Sequence, residues 1–333
     1  MQNICFTKLS ASILILALAA TKAVAQTPQP VTITVGLQNV VEYQEDVVPS
    51  QYATNPGVTP SSMPKNFLTV TIIGDIVSVN SQPAKGTYIG RTRVLVASPT
   101  PNPGGAIADI TRTALREHVF EIQQSDGTPV GTVMSLGFSG GAAPPGAPSN
   151  ERGNWAIVGG TGAYFGASGE VGGTGGAGRA ASMSEDPANR RINGGTSFPF
   201  QLHVIPMSSP TLLSTPAGPA VTHSSDFSLV TASNPATPNE LLTLFCTGLL
   251  PSIEAPSTPF PTSPLTTLDS PVAVTINGEA AQVLGTVGFP GSTNGYQINI
   301  RVPGDTQAGT AALQVSAAWI PGPSVNISVQ PAK

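Results

Sequence analysis

The stretch that decides the fold is Trp155–Val171, which reads WAIVGGTGAYFGASGEV. Its first residues, Trp155–Val158, form an apolar run typical of a short strand, and Gly159–Gly162 indicates a tight turn. The residues from Tyr164 onward have the composition of a second strand. We therefore predict a β-hairpin here. The strand-like runs before it could close with it into one β domain, and the chain after about Pro206 reads as another.

The composition is that of a folded β protein with many turns. Of the 333 residues, 40% are hydrophobic and only 10% are charged, while glycine and proline number 36 and 33. This hydrophobic content, together with repeated strand-like runs, argues against disorder. The formal net charge of −4 provides no basic surface, so we expect no nucleic-acid partner.

The N-terminus has the pattern of a secretory signal peptide over residues 1–25. Lys8 supplies a positive charge, Ile13–Ala20 an apolar segment, and Ala23–Ala25 a small-residue cleavage site. We predict cleavage after Ala25 and a secreted or cell-surface protein. Because no other stretch approaches 18 consecutive apolar residues, we expect no membrane span.

The rest of the chain is long enough for two domains, and we predict an all-β structure for both. Residues 27–206 contain strand-like runs separated by loops rich in glycine and proline. Residues 207–221 are rich in proline, serine and threonine, which predicts a linker. In residues 222–333, short strands recur at regular spacing, and Asn277-Gly278 has the sequence of a hairpin turn. This pattern favours an immunoglobulin-like β-sandwich.

The hairpin also carries a family resemblance. Gly-Gly-Thr-Gly, followed by an aromatic pair and Gly-x-x-Gly, resembles the signature of the allene oxide cyclase and dirigent barrel superfamily. The signature residues are Gly159, Gly160, Thr161, Gly162, Gly166 and Gly169. The resemblance implies an antiparallel eight-stranded barrel over residues 27–206 that holds a small apolar molecule and forms a homotrimer. The signature itself is structural, since glycines permit a turn with positive φ and tight barrel curvature.

The same resemblance implies a catalytic carboxylate. Allene oxide cyclases carry a pocket glutamate near the end of the first strand, and Glu42 or Glu45 lies in a comparable place. Plant dirigents have arginines shortly after the Gly-Thr-Gly turn, whereas this chain has Phe165 and Ser168 there. That departure counts against radical coupling of the plant type.

The C-terminal domain resembles an uncharacterised module of secreted acidobacterial proteins. The matching stretches are residues 240–249, 274–278 and 295–299 and the pair Val302-Pro303. The resemblance covers nearly the whole domain. It implies a β-sandwich accessory domain at or outside the cell surface.

Three charged or titratable residues are candidates for the barrel lumen. His118, Arg91 and Arg93 fall in predicted strands. A buried arginine would imply an anionic partner, whereas the simpler interpretation places both arginines on a wet outer face and gives the histidine a structural role. Because His118, His203 and His223 lack metal-ligand spacing, we expect no metal site.

Two other motifs are better explained by the fold than by chemistry. Gly160–Gly166 fits a dinucleotide-binding glycine pattern, but no helix is predicted after it to hold a pyrophosphate. We therefore expect no cofactor. Gly137–Gly141 fits the G-x-S-x-G nucleophile motif, but the prolines that follow make the required helix implausible.

Three functions stay open at this point. In the first, the barrel binds a small apolar ligand. Such a barrel can also steer the stereochemistry of a reaction by holding the reactive ligand in one geometry. In the second, it is an isomerase or cyclase in which Glu42 or Glu45 is desolvated and acts as an acid–base group. In the third, it is a non-catalytic structural or adhesion protein whose lumen is filled by side chains. An open apolar lumen, and the charged residues that enter it, would distinguish them.

Overall fold

The structure is a computed structural model of the chain. It describes residues 29–44, 68–95, 113–139, 154–173, 176–249, 258–268 and 270–331. These residues form two compact units, of which the first is Gln29–Met207 and the second begins at Ser208. The predicted signal peptide, residues 1–25, lies outside the described residues, as does Glu45.

The described residues of the first unit form nine strands and two short helical turns. The strands are β1 (Val31–Gln44), β2 (Leu68–Val79), β3 (Gln82–Leu95), β4 (Thr113–Gln124), β5 (Pro129–Ser139), β6 (Asn154–Gly162), β7 (Ser168–Gly173), β8 (Arg179–Ser182) and β9 (Thr196–Ile205). A 3₁₀ turn at Pro187–Asn189 and the short helix α1 (Arg190–Asn193) lie between β8 and β9. Within the described ranges, no helix has the length and hydrophobicity to cross a membrane.

Eight of these strands close into an antiparallel barrel. Their order is β2-β3-β4-β5-β6-β7-β9-β1, and pairing of β1 with β2 completes the circle. The predicted eight-stranded antiparallel barrel is therefore confirmed. Strand β8 is additional and runs parallel to the last residues of β1, from Val41 to Gln44.

The two ends of the barrel differ in how their strands are connected. At the lower end, short turns join the strands, for example Asn80-Ser81 between β2 and β3. At the other end, which we call the upper end, the connections are residues 45–67, 96–112, 140–153 and 174–195. Long connections of this kind are where binding residues concentrate in many folds.

The signature hairpin forms, but its turn is not where the glycines predict it. Gly159, Gly160, Thr161 and Gly162 are the last residues of β6, Gly166 lies in the turn 163–167, and Gly169 lies in β7. The predicted turn at Gly159–Gly162 is thus wrong. A Cβ on Gly160 would lie 2.4 Å from the carbonyl oxygen of Tyr164 in the turn and 2.7 Å from that of Thr132 on β5, so glycine is needed there for close backbone approach.

Residues 176–195 form an excursion that we call the strap. Its strand β8 pairs with β1, and α1 is bound to the outer wall of β2 through Asp75. The Asp75 carboxylate accepts hydrogen bonds from Arg190, from Arg191 and from the Asn39 amide. These contacts fix the strap beside the upper end of the barrel.

The second unit is one continuous curled sheet around its own core. Its strands are β10 (Thr211–Leu212), β11 (Ser214–Thr215), β12 (Gly218–Pro219), β13 (Val221–His223), β14 (Leu241–Thr247), β15 (Val272–Ile276), β16 (Glu279–Gly288), β17 (Tyr296–Arg301), β18 (Gly309–Ala317), β19 (Ile320–Pro321) and β20 (Val325–Val329). The sheet order is β10-β14-β17-β16-β15-β18-β19, with β13 on β14 and β20 on β18; β11 and β12 pair only with each other. The immunoglobulin-like sandwich stays a prediction.

Two local predictions in the second unit have clear outcomes. The Asn277-Gly278 turn joins β15 and β16, and both residues have the positive φ that this turn requires. The segment 207–221 is not a simple linker, because it supplies β10 to β12 and the first residue of β13. Leu212 and Val221 are buried in the core of this unit, which explains why the segment is ordered despite its composition.

Candidate functional site

The upper half of the barrel interior contains a group of rings that we call the aromatic cluster. Its members are Tyr88, His118, Phe120, Trp155 and Phe200, all at most 3% exposed. Ring centroids lie 4.7 Å apart for His118 and Trp155 and 5.1 Å apart for Tyr88 and Phe200. At these separations the rings are in contact, so side chains fill this part of the interior, which is the arrangement expected for a structural or adhesion protein rather than an open lumen.

Strand register explains why these rings meet. Residues directly opposite on paired strands share a face, and Gly90 on β3 lies opposite His118 on β4. A Cβ on Gly90 would lie 2.7 Å from the Tyr88 hydroxyl oxygen. Gly90 therefore leaves the space in which the Tyr88 ring reaches His118.

Tyr88 and His118 form a buried hydrogen-bonded pair. The Tyr88 Oη and His118 Nδ1 are 2.8 Å apart. Burial, and secondarily the charge of Arg116, lowers the pKa of His118 well below its ordinary value, and burial raises the pKa of Tyr88. Both groups are thus neutral near pH 7. Since the hydroxyl has no other acceptor in the described residues, it donates to Nδ1, and we assign the imidazole proton to Nε2.

Three buried polar atoms in this region have no hydrogen-bond partner among the described residues. They are His118 Nε2, Ser135 Oγ and Trp155 Nε1. Ser135 lies directly opposite His118 on the neighbouring strand, and Trp155 contacts His118 through its ring. A buried polar group without a partner costs about 1–3 kcal/mol. Such a group in a native protein calls for a specific explanation, such as a bound molecule or an ordered water.

Arg116 lies above the aromatic cluster, towards the upper end. It is half-buried and stands opposite Thr92 on β3 and Gly137 on β5. Its Nε donates a hydrogen bond to the Thr92 hydroxyl at 2.9 Å, and its guanidinium carbon lies 5.7 Å from the centroid of the Trp155 ring. The cation is therefore held in one orientation over an aromatic face.

Glu42 belongs to the same interior row as His118. The row of directly paired residues consists of Glu42, Ile72, Gly90, His118 and Ser135. Glu42 is half-buried at the upper end, and its Oε1 accepts a hydrogen bond from the Gly178 backbone N–H of the strap at 3.0 Å. The structure thus brings together two residues that the sequence analysis selected separately.

The remaining candidates lie elsewhere. Arg91 and Arg93 are exposed on the outer wall of β3. Side chains alternate between the two faces of a strand, and the adjacent residues Gly90 and Thr92 face the interior. His203 is also on the outer wall, where it borders a groove of about 320 Å³. His223 belongs to the second unit, where it bonds to Glu240 at 2.5 Å.

Among the polar and charged members of the site, sequence reasoning missed four, Tyr88, Arg116, Ser135 and Trp155. A signal for one of them was present, because Arg116, His118, Phe120 and Ile122 alternate along β4 with outward residues. The others could be selected only after the pairing of β3, β5 and β6 was known.

Comparison of the chain with protein-family models, with curated proteins and with solved structures finds no match. The resemblance to the allene oxide cyclase and dirigent superfamily therefore stays a hypothesis.

Proposed function

We propose that the barrel binds one small, largely apolar molecule in the upper half of its interior. The observation that carries this proposal is the set of three unpartnered polar atoms, on His118, Ser135 and Trp155, inside an aromatic cluster. A ligand with one polar group would satisfy them while its apolar part contacts the rings. An eight-stranded barrel has room for side chains or for one small ligand.

The packing and the charged side chains both favour entry from the upper end. Farther down the interior, Ile122 and Val204 are almost fully buried, and tight turns close the strands. Among the described residues, Arg116 and Glu42 are the half-buried charged groups of the interior, and both lie near the upper end. Because the rings contact one another, binding requires that ring–ring contacts be exchanged for ring–ligand contacts. We therefore expect a flat, small ligand.

The proposal is tested by titrating the mature full-length protein with 2-naphthol, a neutral aromatic molecule with one hydroxyl, by fluorescence. We expect binding of one molecule per chain. Ser135→Ala removes one polar group with little change of shape and should weaken binding several-fold, as expected for one hydrogen bond of about 1 kcal/mol. Trp155→Phe removes the indole N–H together with part of the ring and should weaken binding at least as much. Glu121→Gln on the outer wall is the control and should change nothing. Absence of binding, or an affinity that neither site variant alters, refutes the proposal.

An isomerase or cyclase is the second candidate, and the position of Glu42 in one row with His118 favours it. The carboxylate already accepts a hydrogen bond from Gly178, so it would act as a base only after this contact is exchanged for the substrate. Glu42→Gln should abolish turnover of an epoxide substrate and leave ligand binding intact. Turnover that survives this change would remove Glu42 from the mechanism.

We also propose that the barrel self-associates through its outer wall, in a homotrimer. Four large apolar side chains on β3, β5 and β6, namely Ile89, Leu136, Phe138 and Val158, are between 39% and 62% exposed. Exposed apolar groups that cluster on one surface are typical of interaction sites. Leu136→Glu with Val158→Glu should dissociate the oligomer in sedimentation experiments. A wild-type protein that sediments as a monomer contradicts this assembly.

A further inference from the structure

We infer that the molecule bound in the barrel is a carboxylate, and that Arg116 is the residue that binds its charged group. This inference rests on the proposed interior site and specifies the chemistry of its ligand. It follows from the orientation of Arg116, from the placement of the other charges, and from the hydrogen-bonding character of the unpartnered groups.

The side chain of Arg116 is directed into the barrel and held there. Its neighbours across the strands, Thr92 and Gly137, are small, so the guanidinium has room above the aromatic cluster. The hydrogen bond from Nε to Thr92 and the Trp155 face fix the plane of the guanidinium. Among the described residues, the four N–H groups on its two terminal nitrogens have no hydrogen-bond partner, and a carboxylate fits such a fork with two parallel hydrogen bonds.

The described carboxylates of the barrel are engaged elsewhere or face away from Arg116. Asp75 pairs with Arg190 and Arg191, Glu185 pairs with Arg179, and Glu42 bonds to Gly178. Glu117 and Glu121 are exposed on the outer wall. Among the described residues, no carboxylate oxygen lies within 4 Å of the Arg116 nitrogens. An arginine cannot lose its charge in a protein, so a half-buried one favours an anionic partner.

The polar groups beneath Arg116 are suited to a ligand that accepts hydrogen bonds. His118 carries its proton on Nε2 in the tautomer that the Tyr88 bond selects, and the Trp155 indole nitrogen can only donate. The Ser135 hydroxyl can donate as well. A site whose unsatisfied groups are mainly donors, with a cation at its mouth, selects oxygen anions over neutral alcohols or amines. The surrounding rings favour an aromatic or short aliphatic group as the apolar part of the ligand. The expected ligand is therefore a small aromatic carboxylic acid in its ionised form.

The test compares two probes that share a ring system, 2-naphthoate and the neutral 2-naphthylmethanol, by calorimetry on the mature full-length protein at pH 7. We expect 2-naphthoate to bind at least tenfold more tightly than the alcohol. Arg116→Gln should reduce this preference to less than threefold while keeping the affinity for the alcohol. Arg91→Gln, on the outer wall of the neighbouring strand, removes the same charge and should keep the full preference.

Each other outcome has a defined meaning. Equal affinity of the wild-type protein for both probes overturns the carboxylate inference and leaves the interior site standing, whereas binding of neither overturns both. A preference that survives Arg116→Gln overturns the assignment to Arg116. Should Arg116→Gln fail to fold by circular dichroism, Arg116→Lys retains the charge but not the planar fork. It is expected to show an intermediate preference, and an unchanged preference contradicts the bidentate geometry.

Discussion

Replacement of Asp75 by asparagine should destabilise the barrel by a predictable amount. Asp75 is 9% exposed on the outer wall of β2. It accepts hydrogen bonds from Arg191 at 2.8 Å and from Asn39 at 2.9 Å, and it also pairs with Arg190. Asparagine keeps the shape of this side chain but loses the charge that joins the strap to the barrel.

The magnitude follows from the pKa of Asp75. Burial alone would raise this pKa, but the hydrogen bonds from Arg191, Asn39 and Arg190 outweigh burial and lower it from 3.8 to about 2. Each pKa unit corresponds to 1.36 kcal/mol, so the ionised carboxylate contributes about 2 kcal/mol to the free energy of unfolding. Because the folded-state pKa is the lower one, this contribution is complete above about pH 4 and is lost as the pH falls towards 2.

The assay is thermal or chemical unfolding of the full-length protein from pH 7 to pH 2, with hydrogen exchange of the strap followed in parallel. Asp75→Asn should lower the free energy of unfolding of the barrel by about 2 kcal/mol at pH 7 and should match the wild-type protein at pH 2. Glu121→Gln removes an exposed carboxylate from the same outer wall and is the control. Equal stability of Asp75→Asn and wild type at pH 7, or a deficit that persists unchanged at pH 2, would refute the reasoning.

Three further predictions concern other parts of the fold. Gly160→Ala should destabilise the barrel by about 2 kcal/mol or more in thermal unfolding, since its Cβ would meet two backbone carbonyl oxygens at 2.4 and 2.7 Å. Gly285→Ala is the control and should leave the stability unchanged, because a Cβ there meets nothing within 4 Å. Tyr88→Phe should cost about 1–2 kcal/mol, because it leaves Nδ1 of the buried His118 without its donor, and equal unfolding midpoints would contradict this role. Burial raises the pKa of the Cys246 thiol to about 12, so iodoacetamide at pH 8 should label it only after unfolding, as judged by mass spectrometry; rapid labelling of the folded protein would contradict its burial.

The closed eight-stranded barrel was expected only from the family resemblance, but its individual strands were predictable, because alternating residues and turn signals leave a local record in the sequence. The turn of the signature hairpin was not, since glycines at strand ends and glycines in turns look alike. Gly160 is glycine because the carbonyl oxygens of Tyr164 in the following turn and of Thr132 on β5 both lie close to it, and the contact with β5 is a tertiary one. The linker predicted for the Pro- and Ser-rich segment 207–221 differs from the structure for a related reason. Its few apolar residues, Leu212 and Val221, find burial in a core that the segment alone does not reveal.

The candidate site was predictable only in part. His118 and Glu42 were selected from the sequence, one as a lumen candidate and one through a family resemblance, and they share an interior row. That row depends on the register of four strand pairs, and a slip of one residue in any pair would turn a side chain to the other wall. The simpler interpretation placed Arg91 and Arg93 on the outer wall, where they lie, but Arg116 was not selected although it is half-buried in the interior.

The most direct test of binding in the barrel interior is a crystal structure of the full-length protein grown with 2-naphthoate. The account predicts electron density for the carboxylate beside the Arg116 guanidinium, with the ring system against Trp155 and within reach of His118 and Ser135. An aromatic cluster that keeps its present contacts, with 2-naphthoate absent or bound only in the outer-wall groove beside His203, would contradict it.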